Sequence, residues 1–226
     1  MIPWPGVDWD PLFLSLEAAT IATLVAGIVG IGLGALLAWP RMIARDLLDA
    51  ILAAPMVMPP TVLGYYVLVA VGRKSFVGTA WRDLFGTDLT FTFTGVVLAA
   101  SLGAFPMIVK AARTAFQGVD PTLVAAARTL GAGPVRAFLT VSIPLAAPGL
   151  IAGLMLGFAR GLGDFGVTLM IAGDIPGETQ SAPLAIYDHV QAGREHDAAV
   201  MSIVLTVGAV AILYLVNRLA RPGAEA

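Results

Sequence analysis

The chain has 226 residues, 58% of them hydrophobic and 12% charged, with a net charge of −2 and a mean hydropathy of +0.87. Soluble domains carry about 25% charged residues, so the composition excludes an ordinary water-soluble domain and a disordered chain. The net charge gives no electrostatic basis for binding nucleic acid, and the absence of cysteine removes disulfides, thiolate chemistry and Cys-ligated zinc. An integral membrane protein remains.

A bilayer core of about 30 Å needs about 20 apolar helical residues. Five runs without Asp, Glu, Lys or Arg are that long: 18–40, 50–72, 89–109, 137–159 and 198–217. With their flanks they predict spans at about 12–40, 47–72, 89–112, 137–162 and 197–218. A sixth run, 165–173, has 9 residues and is too short to cross alone. It reads as an outer continuation of the fourth span or a re-entrant piece, so the expectation is five spans, with six as the alternative. Residues 1–17 hold no Lys or Arg, which argues for an uncleaved first span over a signal peptide. Placing the N-terminus outside puts Arg41, Arg45, Lys110, Arg113, Arg128, Arg136, Arg218 and Arg221 inside, and only Arg73, Lys74, Arg82 and Arg194 outside. The positive-inside rule therefore favours an external N-terminus and an internal C-terminus.

The first span carries Gly30 and Gly34, a GxxxG spacing read as packing within the chain. The second holds Pro55, Pro59 and Pro60, the third Gly103 and Pro106, and the fourth Pro144, Pro148, Gly149, Gly153 and Gly157. Such residues interrupt helices, and broken spans mark transport pathways, although Pro and Gly are also common in membrane helices generally. The cluster around Pro55, Met58, Pro59 and Pro60 is taken as a candidate pathway lining. Arg160 and Asp164 are spaced to share a helix face; they read either as a structural ion pair or as a gate element. His189 and His196, seven apart in the outer segment 165–196, do not fit helical zinc spacing, so no metal site is expected. Neither a phosphate-binding loop nor a nucleophile elbow nor a zinc-protease motif is present, so the chain is not expected to be an enzyme or to hold a cofactor.

Residues 118–136 lie between the third and fourth spans. Asp120-Pro121 is an N-cap and first-turn pair. Leu123, Val124, Ala127 and Leu130 recur at helical spacing, and Gly131 is a natural helix terminator. The run Ala125-Ala126-Ala127 offers little apolar area to lipid, which favours docking into a partner's groove over an interfacial helix.

This segment resembles the coupling loop of ABC importer permeases, E-A-A-x-x-x-G-x9-I-x-L-P. Here the sequence reads AAARTLG over 125–131 and VSIP over 141–144. Ala126, Ala127, Gly131 and Pro144 match, Val141 and Ile143 substitute for Ile and Leu, and Ala125 departs from the Glu. PMVMPPTVLGYYVLV at 55–69, ARTLGAG at 127–133 and FARGLGDFGVTLMIAGDIPGETQSAPLAIY at 158–187 look like the molybdate branch. The resemblance implies an all-α type I permease fold in the inner membrane. It implies that Leu123, Ala125, Ala126, Ala127, Arg128, Leu130, Gly131 and Pro144 belong to an ATPase-coupling segment. The partners it implies are a second copy of the chain, two cytoplasmic ATPase subunits that hold ATP and Mg, and a periplasmic molybdate-binding protein. The expected cargo is molybdate, with tungstate alongside. Sulfate or another oxyanion is the competing cargo, and a stand-alone channel or secondary transporter is the competing class.

Overall fold

The computed structural model describes residues 7–39 and 44–219, and the described residues are helical with short connections. Pro40, Arg41 and Arg221 lie outside the described residues. The helices are α1 (Asp10–Ala38), α2 (Arg45–Val57), α3 (Pro60–Val71), α4 (Phe76–Phe85), α5 (Phe93–Gln117), α6 (Pro121–Thr129) and α7 (Pro134–Ala137). A π-helical turn, Phe138–Ser142, joins α7 to α8 (Ile143–Leu162). Then follow α9 (Gly166–Ala172), α10 (Ala182–Gln191) and α11 (Glu195–Leu219). Among the described residues, four stretches are long and apolar enough to cross a membrane: α1, α5, Pro134–Leu162 and α11. A fifth candidate is α2 with α3, two helices bent by 112°.

Small residues build the core, because lipid offers helices no hydrophobic reason to associate and close backbone approach must do it instead. A Cβ added at Gly30 would lie 3.0 Å from Ile108, and one at Gly34 would lie 2.5 Å from Ala112. Advancing together along both helices, these contacts make α1 and α5 parallel neighbours. On α8, Gly149, Gly153, Gly157 and Gly161 face Ala115, Ala111, Ile108 and Ala100 in turn, so α8 runs antiparallel to α5. This corrects the reading of Gly149, Gly153 and Gly157 as breakers: α8 is continuous through them, and they form its packing stripe. Pro106 and Pro148 likewise sit inside continuous helices.

The segment 47–72, expected as one span, breaks at Met58–Pro59. Met58 and Pro59 each precede a proline, which disfavours helical backbone, and neither Pro59 nor Pro60 can donate a ladder hydrogen bond. Both residues are extended, with ψ of 140° and 134°. The run 165–173 is the separate helix α9, packed on α3 and α5. Farther along, α10 is tied to α1 by the Ala182 amide, which donates to Ser15 Oγ at 2.7 Å. Ala182, Ala185 and Met201 pack together, so α11 begins beside α10 near the start of α1. At 1.5 Å per residue, α11 then extends roughly 37 Å toward the opposite end of the bundle.

Candidate functional site: a docking helix and a proline elbow

Helix α6 is a self-contained nine-residue unit. Asp120 caps it: its Oδ1 accepts from the Thr122 amide at 2.8 Å, a bond that holds the carboxyl below the ordinary aspartate range. At the other end the Gly131 amide donates to the Arg128 carbonyl (3.1 Å) and the Ala132 amide to the Ala127 carbonyl (3.0 Å). This double closure requires left-handed backbone at Gly131, whose φ is +89°.

No residue of α6 is buried. Val124 and Ala127 are half-buried, while Leu123, Ala125, Ala126, Arg128 and Leu130 are exposed. The apolar positions expected on one face thus divide: Val124 and Ala127 turn toward the bundle, and Leu123 and Leu130 (89% exposed) turn away. A groove of about 670 Å³, lined by Leu36, Trp39, Phe116, Val124 and Phe138 among others, separates α6 from the ends of α1 and α5. The helix rests on α7 and the π turn, where Phe138 stacks on Phe116 at 5.5 Å. Pro144 is exposed in the first turn of α8, after the π turn. The Ile143 amide reaches back to the Phe138 carbonyl, and Pro144 has no amide to continue the ladder.

The second candidate group gathers around α9. Pro55 lies within α2, and Met58 packs on the core of Leu63, Ala99, Val167 and Ile171. Met58 is half-buried there. Pro59 and Pro60 are exposed, and a Cβ at Gly166 would lie 2.8 Å from Pro60. The elbow thus abuts the first residue of α9. Two residues earlier is Asp164, only 2% exposed, whose Oδ1 accepts from Arg160 at 3.0 Å. Its Oδ2 accepts from the Thr168 amide (2.9 Å) and Thr168 Oγ1 (2.8 Å), which caps α9. Arg160 is one third exposed and lies over Gly103, where an added Cβ would be 3.5 Å from the guanidinium carbon. Arg160, through Asp164, and the proline elbow, through Pro60, thus both approach the start of α9 although they are 100 residues apart in sequence.

Two ion clusters escaped the sequence reading. Asp49 on α2 binds Arg113 (2.9 Å) and Lys110 (3.6 Å) on α5. Asp88 binds Arg73 (2.8 Å) and Arg82 (2.6 Å) at the opposite end. Desolvation pushes the Asp88 carboxyl up, but the hydrogen bond from Arg82 and the charge of Arg73 outweigh it and hold it below the ordinary range. The available signal was an acid at a span end with basic residues near the end of another.

Residues 30–222 match the family described as the binding-protein-dependent transport system inner membrane component. The chain is 42% identical over 219 residues to the molybdenum transport system permease protein ModB of Escherichia coli K12, covering 96% of each. It is 41% identical over 187 residues to ModB of Haemophilus influenzae, covering 82% of each. It is 36% identical over 210 residues to the putative molybdenum transport system permease protein YvgM of Bacillus subtilis, covering 93% of this chain and 92% of the other. Among solved structures, a chain of the inward-facing MetNI methionine ABC transporter superposes with a TM-score of 0.72 at 18% identity, over 93% of each chain. A chain of a bacterial alginate ABC transporter, crystallised with an alginate pentasaccharide-bound periplasmic protein, gives 0.72 at 14% identity, over 94% of this chain and 77% of that one. These two share the fold of a type I importer permease. The helical bundle, its apolar spans and the match over most of its length make one conclusion: the chain belongs to the binding-protein-dependent transport system inner membrane component family.

Proposed function

We propose that this chain forms the membrane pathway of an ATP-driven importer for molybdate, and for tungstate, which has the same tetrahedral dianionic form. The observation that carries the cargo is the 42% identity to a molybdenum permease across 96% of both chains. What supports the coupling role is α6, capped at both ends and standing off the bundle with Leu123 and Leu130 exposed. In this reading two copies of the chain enclose the pathway in the inner membrane. ATP and Mg are bound by two cytoplasmic ATPase subunits, each gripping α6 through Leu123, Ala125, Ala126, Arg128 and Leu130. A periplasmic binding protein delivers the oxyanion at the opposite end. ATP-driven closure of the ATPases moves α6, and the motion passes through the π turn and α5 to the elbow and Arg160. Among the described residues, Arg160 and Asp164 place charge beside the proline elbow, and they pair with each other. The pathway therefore binds its anion weakly, and selection falls to the binding protein.

Uptake of labelled molybdate in a strain deleted for this chain tests the reading. Uptake is expected to fall to background, to return with the gene, and to resist excess sulfate. Unchanged uptake in the deletion overturns the molybdate assignment, and loss of sulfate uptake in its place assigns the other oxyanion.

A further inference from the structure

Helix α2 is the least anchored element around the elbow. It buries none of its residues, it packs chiefly on α5, and it leaves α3 at 112°. Apolar contact therefore contributes little to its position. What ties it down is one carboxylate: Asp49 Oδ1 meets Arg113 at 2.9 Å and Oδ2 meets Lys110 at 3.6 Å. The side chains are 20–23% exposed at Arg113 and Asp49 and 46% exposed at Lys110, so the contact is partly shielded from water. Shielding strengthens an ion pair and makes its geometry matter. Both cations lie on the last turns of α5, which ends at Gln117 and leads directly to the Asp120 cap of α6. Asp49 thus joins the arm of the elbow to the helix that feeds the docking segment. The ion pair Arg160–Asp164 links the end of α8 to the residue that holds the first turn of α9, and both of its members lie outside α2.

We infer that Asp49 is a positioning residue: its bond to Arg113 and Lys110 latches α2 to α5 and sets the bend at Met58–Pro59. When the end of α5 shifts, the latch carries α2 with it; when the latch opens, α2 swings about the elbow. This deepens the permease reading and rests on it for the direction of coupling, but the latch itself is a property of the chain alone.

The chain has no cysteine, so single cysteines report without background. Ala53, one helical turn from Asp49 and half-buried, is replaced by cysteine in the full-length chain, and its modification by a soluble maleimide is timed in membrane vesicles. Adding Asp49→Asn is expected to speed modification roughly 5-fold, the scale of one partly exposed ion pair. Asp49→Arg combined with Arg113→Asp should restore the slow rate, whereas Asp49→Arg alone should not. A rate unaffected by Asp49→Asn overturns the latch, and so does a fast rate that the charge exchange fails to slow. The readout needs neither ATP nor molybdate, so a failed transport assignment leaves it standing, and intact transport cannot rescue it. In the assembled transporter, Asp49→Asn should also leave ATP hydrolysis running while uptake falls, a split that mere loss of folded protein would not produce.

Discussion

Asp164 engages both carboxylate oxygens with its own neighbours, Oδ1 with Arg160 and Oδ2 with Thr168. The spacing of Arg160 and Asp164 made the pair legible in the sequence. The Thr168 contact was not, because it depends on the chain leaving α8 at Gly163 and restarting as α9. The capping contact favours the structural reading of the acid, and Arg160 stays one third exposed. Removing Asp164 strips the cap from α9 and leaves a guanidinium without its partner. Loss of one member of a buried pair costs about 3–5 kcal/mol, and the exposure of Arg160 reduces this to about 1–3 kcal/mol. Asp164→Ala should therefore lower the thermal unfolding midpoint of the detergent-purified chain, and Asp164→Asn, which retains an acceptor for Thr168, should lower it less. Equal midpoints for the two variants would show that the cap contributes nothing.

Glycine and proline mislead at the level of elements because composition does not reveal what they face. Gly149, Gly153 and Gly157 recur every four residues, which on a helix is a stripe, and α5 supplies Ala115, Ala111 and Ile108 to meet it. That partner is invisible until the two helices are side by side. The adjacent prolines at 59 and 60 do break the chain, since two consecutive residues are forced out of helical backbone. The ends of α6 were legible, since its cap, first-turn proline and terminal glycine are all local signals, but the division of its apolar positions was not. Its offset from the bundle was not legible, because the groove depends on α1 and the π turn. Gly131 separates local from docking effects. A Cβ there meets nothing within 4 Å, so substitution strains only the backbone at φ +89°, by about 1–2 kcal/mol. Gly131→Ala should leave membrane insertion and most ATPase binding intact. Gly131→Asp adds a charge beside the exposed Leu130 and should recover markedly less ATPase on co-purification. Equal recovery with the aspartate and alanine variants would remove this turn from the docking surface.

Across the molecule, sidedness decides whether these parts can work together. Parallel α1 and α5 both end near α6, while α10 and the start of α11 gather at the beginning of α1. The bundle thus has one end carrying Arg113, Arg128 and Arg136 and another carrying α4 with Arg73 and Arg82. The second set weakens the positive-inside argument when charges are only counted along the sequence. Pairing does not separate the ends: Arg73 and Arg82 converge on Asp88 as Lys110 and Arg113 converge on Asp49. By the count of Lys and Arg the α6 end is the more basic one, and it should face the cytoplasm. Single cysteines test this without background. Leu84→Cys in α4 and Leu130→Cys after α6 occupy positions 75% and 89% exposed. An impermeant maleimide applied to intact spheroplasts should label Leu84→Cys at once and Leu130→Cys only after the membrane is opened. The opposite pattern would put α6 outside, beyond the reach of any cytoplasmic ATPase, and the coupling role would fall with it.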